Sequence, residues 1–189
     1  MAEVAVTPSE FHLVFFDAGR IAAIAGDVAD RVGLRPDAEV RIDVDERVRM
    51  GRVTVTSLDP ITVAVEGGAF EDARRPRRFA ERATANVLGR TLLRVRDRLD
   101  PHFGAAPADE DLTLAQQVAW SAYLEGRCDR LGLPTQQQRW RYHFRNRHGF
   151  SDAADGAFDR LWAGEGLAWA DIEALCGESD AAAGRAAVR

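Results

Sequence analysis

The sequence predicts an α+β protein, with an N-terminal unit of one helix, a three-stranded antiparallel meander and a second helix, followed by an all-α unit of four helices. Three observations lead there. Between residues 39 and 66, apolar and polar residues alternate at period two over three short segments. On both sides of them the apolar spacing changes to three and four. Beyond residue 113, helical spacing and cap residues account for the chain as far as Gly177. The expected division is 1–100 for the α-β-β-β-α unit, 101–112 for a linker, 113–177 for the helical unit and 178–189 for a disordered tail.

The first helix is read from TPSEFHLVFFDAGRIAAIAGDVADRVGL. Thr7 stands as N-cap, Pro8 at the first helical position and Glu10 closes a capping box. Phe11, Val14, Phe15, Ala18, Ile21, Ala25, Val28 and Val32 follow at helical spacing, and Gly33 supplies the stop. The strands are EVRIDVD with Val40, Ile42 and Val44 on one face, GRVTVTS with Val53 and Val55, and PITVAVE with Ile61, Val63 and Val65. Their other faces are polar, so the sheet is expected to be wet on one side and covered by helices on the other. A second helix runs from about Arg77 to Leu99.

The segment DPHFGAAPADED interrupts the pattern and reads as the linker. Thr113 with Gln116 caps a helix to about Leu131, Thr135 with Gln138 caps one to His148, Ser151 starts one to about Ala163, and a last one carries Trp169, Ile172 and Leu175. Cys128 and Cys176 lie on apolar helical faces and are expected to be reduced core residues.

No run of eighteen apolar residues occurs, and MAEVAVTPSEF lacks the charged and apolar regions of a secretory signal, so a cytoplasmic protein without membrane contact is expected. The net charge is -5, which argues against indiscriminate binding to polyanions. All 25 basic residues are Arg, the mark of a GC-rich coding bias, so position carries more information than number.

Two arginine groups stand out by position. In ARRPRRF, Arg74, Arg75, Arg77 and Arg78 fall where a helix is expected to begin, although the helix dipole favours acids there. Backbone N–H groups and four guanidinium groups together would make an anion site. Glu71, Asp72 and Glu81 are the acids that could neutralise it locally. The second group is in RWRYHFRNRHGF, which is first a well-made helix with Trp140 and Phe144 toward the core. Its opposite face, with Arg141, Tyr142 and Arg145, could stack on and neutralise a partner.

RLGLPTQQQRWRYHF invites comparison with a helix-turn-helix, but Gln138 and Arg141 stand where its second helix needs apolar residues, and Asp152 and Asp155 follow. For metals, His143 and His148 diverge on a helix, His12 and His102 lie in other elements, and Asp43 and Asp45 share their strand face with Arg41. Gly67 and Gly68 are too few for a phosphate loop. There is no G-x-S-x-G. Neither a catalytic residue, a metal ligand nor a cofactor is therefore assigned.

The order helix, three strands, helix over residues 8–99 resembles the layout of the small zincin-type metallopeptidases, whose second helix carries H-E-x-x-H. Where the zinc helix would lie this chain reads TLLRVRDRL, with Arg94 and Arg98 in place of ligands and Val95 in place of the catalytic Glu. The resemblance implies a scaffold without zinc chemistry. The leading expectation is a non-enzymatic binding or regulatory protein whose arginine surfaces meet an acidic protein or phosphate-bearing partner. An enzyme of unknown class and a nucleic-acid-binding protein are the alternatives.

Overall fold

The computed structural model describes residues 2–187, with side chains as far as Glu178. It divides into two units, Met1–Leu99 and Asp100–Arg189. The fold is mixed α and β. Unit 1 contains β1 (Glu3–Thr7), α1 (Ala18–Val32), β2 (Glu39–Asp45), β3 (Val53–Leu58), β4 (Ile61–Glu66), a 3-10 turn over Gly67–Phe70, β5 (Glu71–Asp72), β6 (Arg75–Phe79) and α2 (Glu81–Leu99).

The sheet is not a three-stranded antiparallel meander. It has four strands in the order β1-β2-β4-β3, and β2 runs parallel to both β1 and β4; only β3 and β4 are antiparallel. The physical reason lies in how apolar each strand is. Ile61, Val63 and Val65 of β4 are buried and the residues between them are half-buried, the environment of a central strand. Most of β3 is only half-buried, as befits an edge. The chain therefore passes from β2 to the edge and returns into the slot between them. β1, in the short segment EVAVT, joins β2 through α1, because a parallel pair needs a crossover connection.

The long first helix is likewise shortened at its N-terminal side. Residues 8–17 connect β1 to α1, and the N-cap is Asp17, whose carboxylate accepts a hydrogen bond from the Arg20 amide at 2.8 Å. Gly33 ends the helix as expected, at φ 73°. Phe11 and Phe16 form an edge-to-face pair rather than part of a helical stripe, and Phe16 also meets Phe70 and Phe79. The second helix begins at Glu81 instead of Arg77, which restores an acid to its first turn.

One face of the sheet is covered: β2 alternates strictly between exposed and buried positions, α1 packs on β1 and α2 on β3. The Arg20 guanidinium pairs with both oxygens of Glu81 at 2.7 and 2.9 Å, and Arg96 donates to the Val32 carbonyl at 2.8 Å. First turn meets first turn and last turn meets last turn, so the two helices lie side by side in the same direction.

Unit 2 holds α3 (Leu114–Arg130), α4 (Gln137–His148), α5 (Asp152–Ala163) and α6 (Trp169–Ala187). Thr113 and Gln116 form a complete capping box, and Ser151 caps α5. Thr135 does not cap α4. Its hydroxyl donates to the buried carboxylate of Glu125, and Gln136 takes the cap position without a side-chain bond. The segment 101–112 expected as a linker supplies core residues to this unit: Leu112 is buried, and Phe103 stacks on Trp120 at 5.2 Å beside Trp169. A second cluster joins Phe144, Phe158 and Trp162. Cys128 and Cys176 are buried.

The last helix runs through Gly177 to Ala187, so the expected stop and disordered tail give way to helix over 178–187. The two glycines of α6, Gly177 and Gly184, are outnumbered by helix-forming alanines. Residues 188–189 of that expected tail lie outside the described residues.

Two glycines inside helices have opposite roles. A methyl group at Gly126 of α3 would overlap the Trp162 carbonyl oxygen, whereas at Gly26 of α1 it would meet nothing within 4 Å. Gly126→Ala is expected to lower stability by about 1–3 kcal/mol through overpacking, against its helix propensity. Gly26→Ala should raise stability by about 0.5–1 kcal/mol. Urea unfolding of the two variants checks both signs.

Candidate functional site

The arginines of ARRPRRF stand on a β-hairpin, not at a helix N-terminus. After β4, the 3-10 turn buries Phe70, and Gly68 is required there because a side chain would overlap the Arg49 carbonyl oxygen. β5 and β6 then pair antiparallel around the turn Ala73–Arg74. Asp72 shapes the turn by accepting from the Arg74 amide at 2.8 Å and from Arg75 Nε at 3.0 Å. Those bonds, the Arg74 amide first, hold the Asp72 carboxyl below the usual carboxylate range.

The far side of the hairpin is tied to the 8–17 connection. Glu46 accepts from the amides of His12 and Leu13 at 2.9 and 2.7 Å, which fixes that connection against the end of β2. The Phe15 amide donates to the Arg77 carbonyl at 2.8 Å, and Phe15 makes an isolated parallel bridge with Arg78. The Arg78 guanidinium lies 4.3 Å from the centre of the Phe15 ring, which is 65% exposed. Arg77 itself is held at φ 64°, the left-handed region that a residue with a Cβ seldom enters.

All four arginines are exposed. Arg75 is paired with Asp72 and Arg78 is stacked on Phe15. The side chains of Arg74 and Arg77 have no ion pair among the described residues. Phe15 and Glu46 were not legible as parts of this site: Phe15 fits a helical stripe in the sequence, and Glu46 lies 33 and 34 residues from the amides it holds.

The second arginine group faces inward to its own unit. Arg145 makes two parallel bonds to Asp155 at 2.7 and 2.6 Å. Arg141 pairs with Asp159 and, at 3.6 Å, with Asp155, and its guanidinium lies 4.5 Å from the Phe158 ring centre. Tyr142 remains 58% exposed, edge-on to the exposed ring of Phe150. Thus Arg141 and Arg145 clamp α4 to α5, and only Tyr142 of that expected trio is an open surface residue.

Among the histidines, His148 is buried against Phe144, with rings 4.0 Å apart, and its Nε2 is 3.2 Å from the Ala115 carbonyl. Among the described residues no group of three or more His, Cys, Asp or Glu is placed to hold a metal ion. The carboxylates of Asp45 and Glu66, at the ends of β2 and β4, accept from the amides of Arg47 and Arg52. Over residues 8–99 the order α1, β2, β3, β4, α2 is present, with β5 and β6 added before α2, and Val95 is fully buried. No helix among the described residues is long and apolar enough to cross a membrane. Comparison with protein-family models, with curated proteins and with solved structures finds no match for this chain.

Two expected outcomes follow from this geometry. Arg77→Gly should relieve the left-handed backbone and raise stability by up to about 1 kcal/mol, read from the urea midpoint. The other concerns acid. Hydrogen bonds from Arg145 hold the Asp155 carboxyl below its ordinary value; partial desolvation opposes this, and the charges of Arg145 and Arg141 add to it. A carboxyl whose folded value is depressed stabilises the fold above its unfolded value of about 3.9, and that stability is lost as pH falls through the folded value. Asp155→Asn should therefore be less stable than the wild type at neutral pH, with the gap closing below about pH 4. Melting temperatures across pH 2–7 report it.

Proposed function

We propose that this is a non-enzymatic binding protein whose contact surface is the arginine hairpin of unit 1, and that it engages an acidic protein or a phosphate-bearing partner. The observation that carries the reading is the contrast between the two arginine groups. Arg141 and Arg145 are neutralised by Asp155 and Asp159, while Arg74 and Arg77 project without an ion pair among the described residues. Arg78 presents its guanidinium together with the exposed ring of Phe15, a surface suited to flat or anionic groups. A hairpin anchored by Asp72, Glu46 and the Phe15 bridge lets these side chains bind with little backbone ordering.

The triple variant Arg74→Glu, Arg77→Glu, Arg78→Glu tests the proposal, with Arg75 left to its bond with Asp72. Fluorescence anisotropy is read for a labelled poly-glutamate peptide and for labelled single- and double-stranded oligonucleotides, at about 50 and about 200 mM salt. The expected result is peptide binding at the lower salt that the triple variant loses by tenfold or more, at an unchanged melting temperature. Tighter and salt-steep binding of an oligonucleotide would transfer the same hairpin to nucleic acid. No binding of any of the three at the lower salt, or a melting temperature that falls with the arginines, would refute the hairpin as a binding surface.

A further inference from the structure

Unit 2 contains a groove of about 490 Å³ between α3 and α4, a size within the range of small-molecule sites. One wall is Leu114 and Val118, four residues apart on α3. The other is Trp140, His143 and Arg147, spaced three and four on α4, with Asn146 at the rim. Leu114 is 56% exposed although it opens a helix, and Trp140 is only half-buried. The apolar surface of this groove is therefore left in contact with water, at roughly 25 cal/mol for each Å² that a ligand could cover.

The charged side chain of the groove is a cation, Arg147. No lining residue is a carboxylate. Arg147 is exposed and has no ion pair among the described residues, unlike Arg141 and Arg145 of the same helix. His143 Nε2 accepts from Arg139 Nε at 3.4 Å. The Gln117 amide is turned to the Leu112 carbonyl at 3.2 Å. An apolar wall facing a cation is complementary to a molecule with an apolar body and one negative charge.

We infer that the α3–α4 groove binds a small monocarboxylate with an aromatic or branched apolar body, its carboxylate on Arg147 and its body against Leu114, Val118 and Trp140. A carboxylate matches the fork of a guanidinium, and a singly charged group loses less hydration on entering a half-apolar groove than a phosphate dianion does. This site is in a different unit from the arginine hairpin and does not rest on it.

The test is a titration of the full chain with 2-naphthoate, followed by the NMR shift of the Trp140 indole N–H, assigned by its loss in Trp140→Phe. Saturable movement with a dissociation constant near or below about 1 mM is expected. Arg147→Gln should weaken it at least about tenfold, the loss of one charge-assisted hydrogen bond. Leu114→Asp should weaken it similarly, at an exposed position where the fold is not at stake. The uncharged 2-naphthalenemethanol should bind at least about tenfold more weakly, and the hairpin triple variant should bind naphthoate as the wild type does. An unmoved Trp140 signal, equal affinity for the alcohol, no effect of Arg147→Gln, or loss of binding in the hairpin variant would each overturn the assignment.

Discussion

The parallel pairing of β2 with β1 and β4 is the constraint on which unit 1 depends. Val40, Ile42 and Val44 must all face the helices, and so must Ile61, Val63 and Val65. A slip of one residue would turn either set to water. Each buried side chain of this kind contributes about 1.5–3 kcal/mol, so the register is strongly specified. Once β1, β2 and β4 run in the same direction, their C-terminal ends share one edge of the sheet. The 8–17 connection leaves from Thr7, the next loop from Asp45 and the turn before the hairpin from Glu66. That is why Glu46 can hold the amides of His12 and Leu13, and why Phe15 can reach Arg77 and Arg78.

What could be read from the sequence follows from the range of the interaction behind each feature. The three period-two strands, the Gly33 stop, the Thr113 capping box and the Ser151 cap are set by residues within a few positions of one another, and all are present. The direction of strand pairing is not local: nothing within ITVAVE says that its neighbours are β2 and β3 rather than β3 alone. EVAVT is too short for its alternation to register, and FHLVFF mimics a helical stripe although its rings diverge, with Phe16 turned toward Phe70 and Phe79 and Phe15 to solvent. In ARRPRRF a charge pattern at odds with a helix start was real. Its resolution is that no helix starts there, and the acid expected in that first turn is Glu81.

The same distinction separates the arginines of RWRYHFRNRHGF. Their partners lie 10 and 18 residues away on α5, beyond any spacing rule for a single helix, so Arg141, Arg145 and Arg147 look alike in sequence. In the structure they occupy two faces. Isolated surface pairs contribute little, but Arg141 is 19% exposed and lies over Phe158, and Arg145 grips Asp155 with two parallel bonds, so this pair fixes how α4 meets α5.

Because Asp155 and Asp159 are committed to that face, the other side of α4 carries Arg147 without an intramolecular acid among the described residues. An excess of acids elsewhere, which makes the chain net negative by five, does not neutralise a guanidinium beyond the screening distance of about 8–10 Å at ordinary salt. Local complementarity rather than total charge therefore decides where an anion can reside. By that criterion the two proposed places differ: a flat, exposed one at Arg74, Arg77 and Arg78 would suit an extended anionic partner, and a grooved, half-apolar one at Arg147 a small anion.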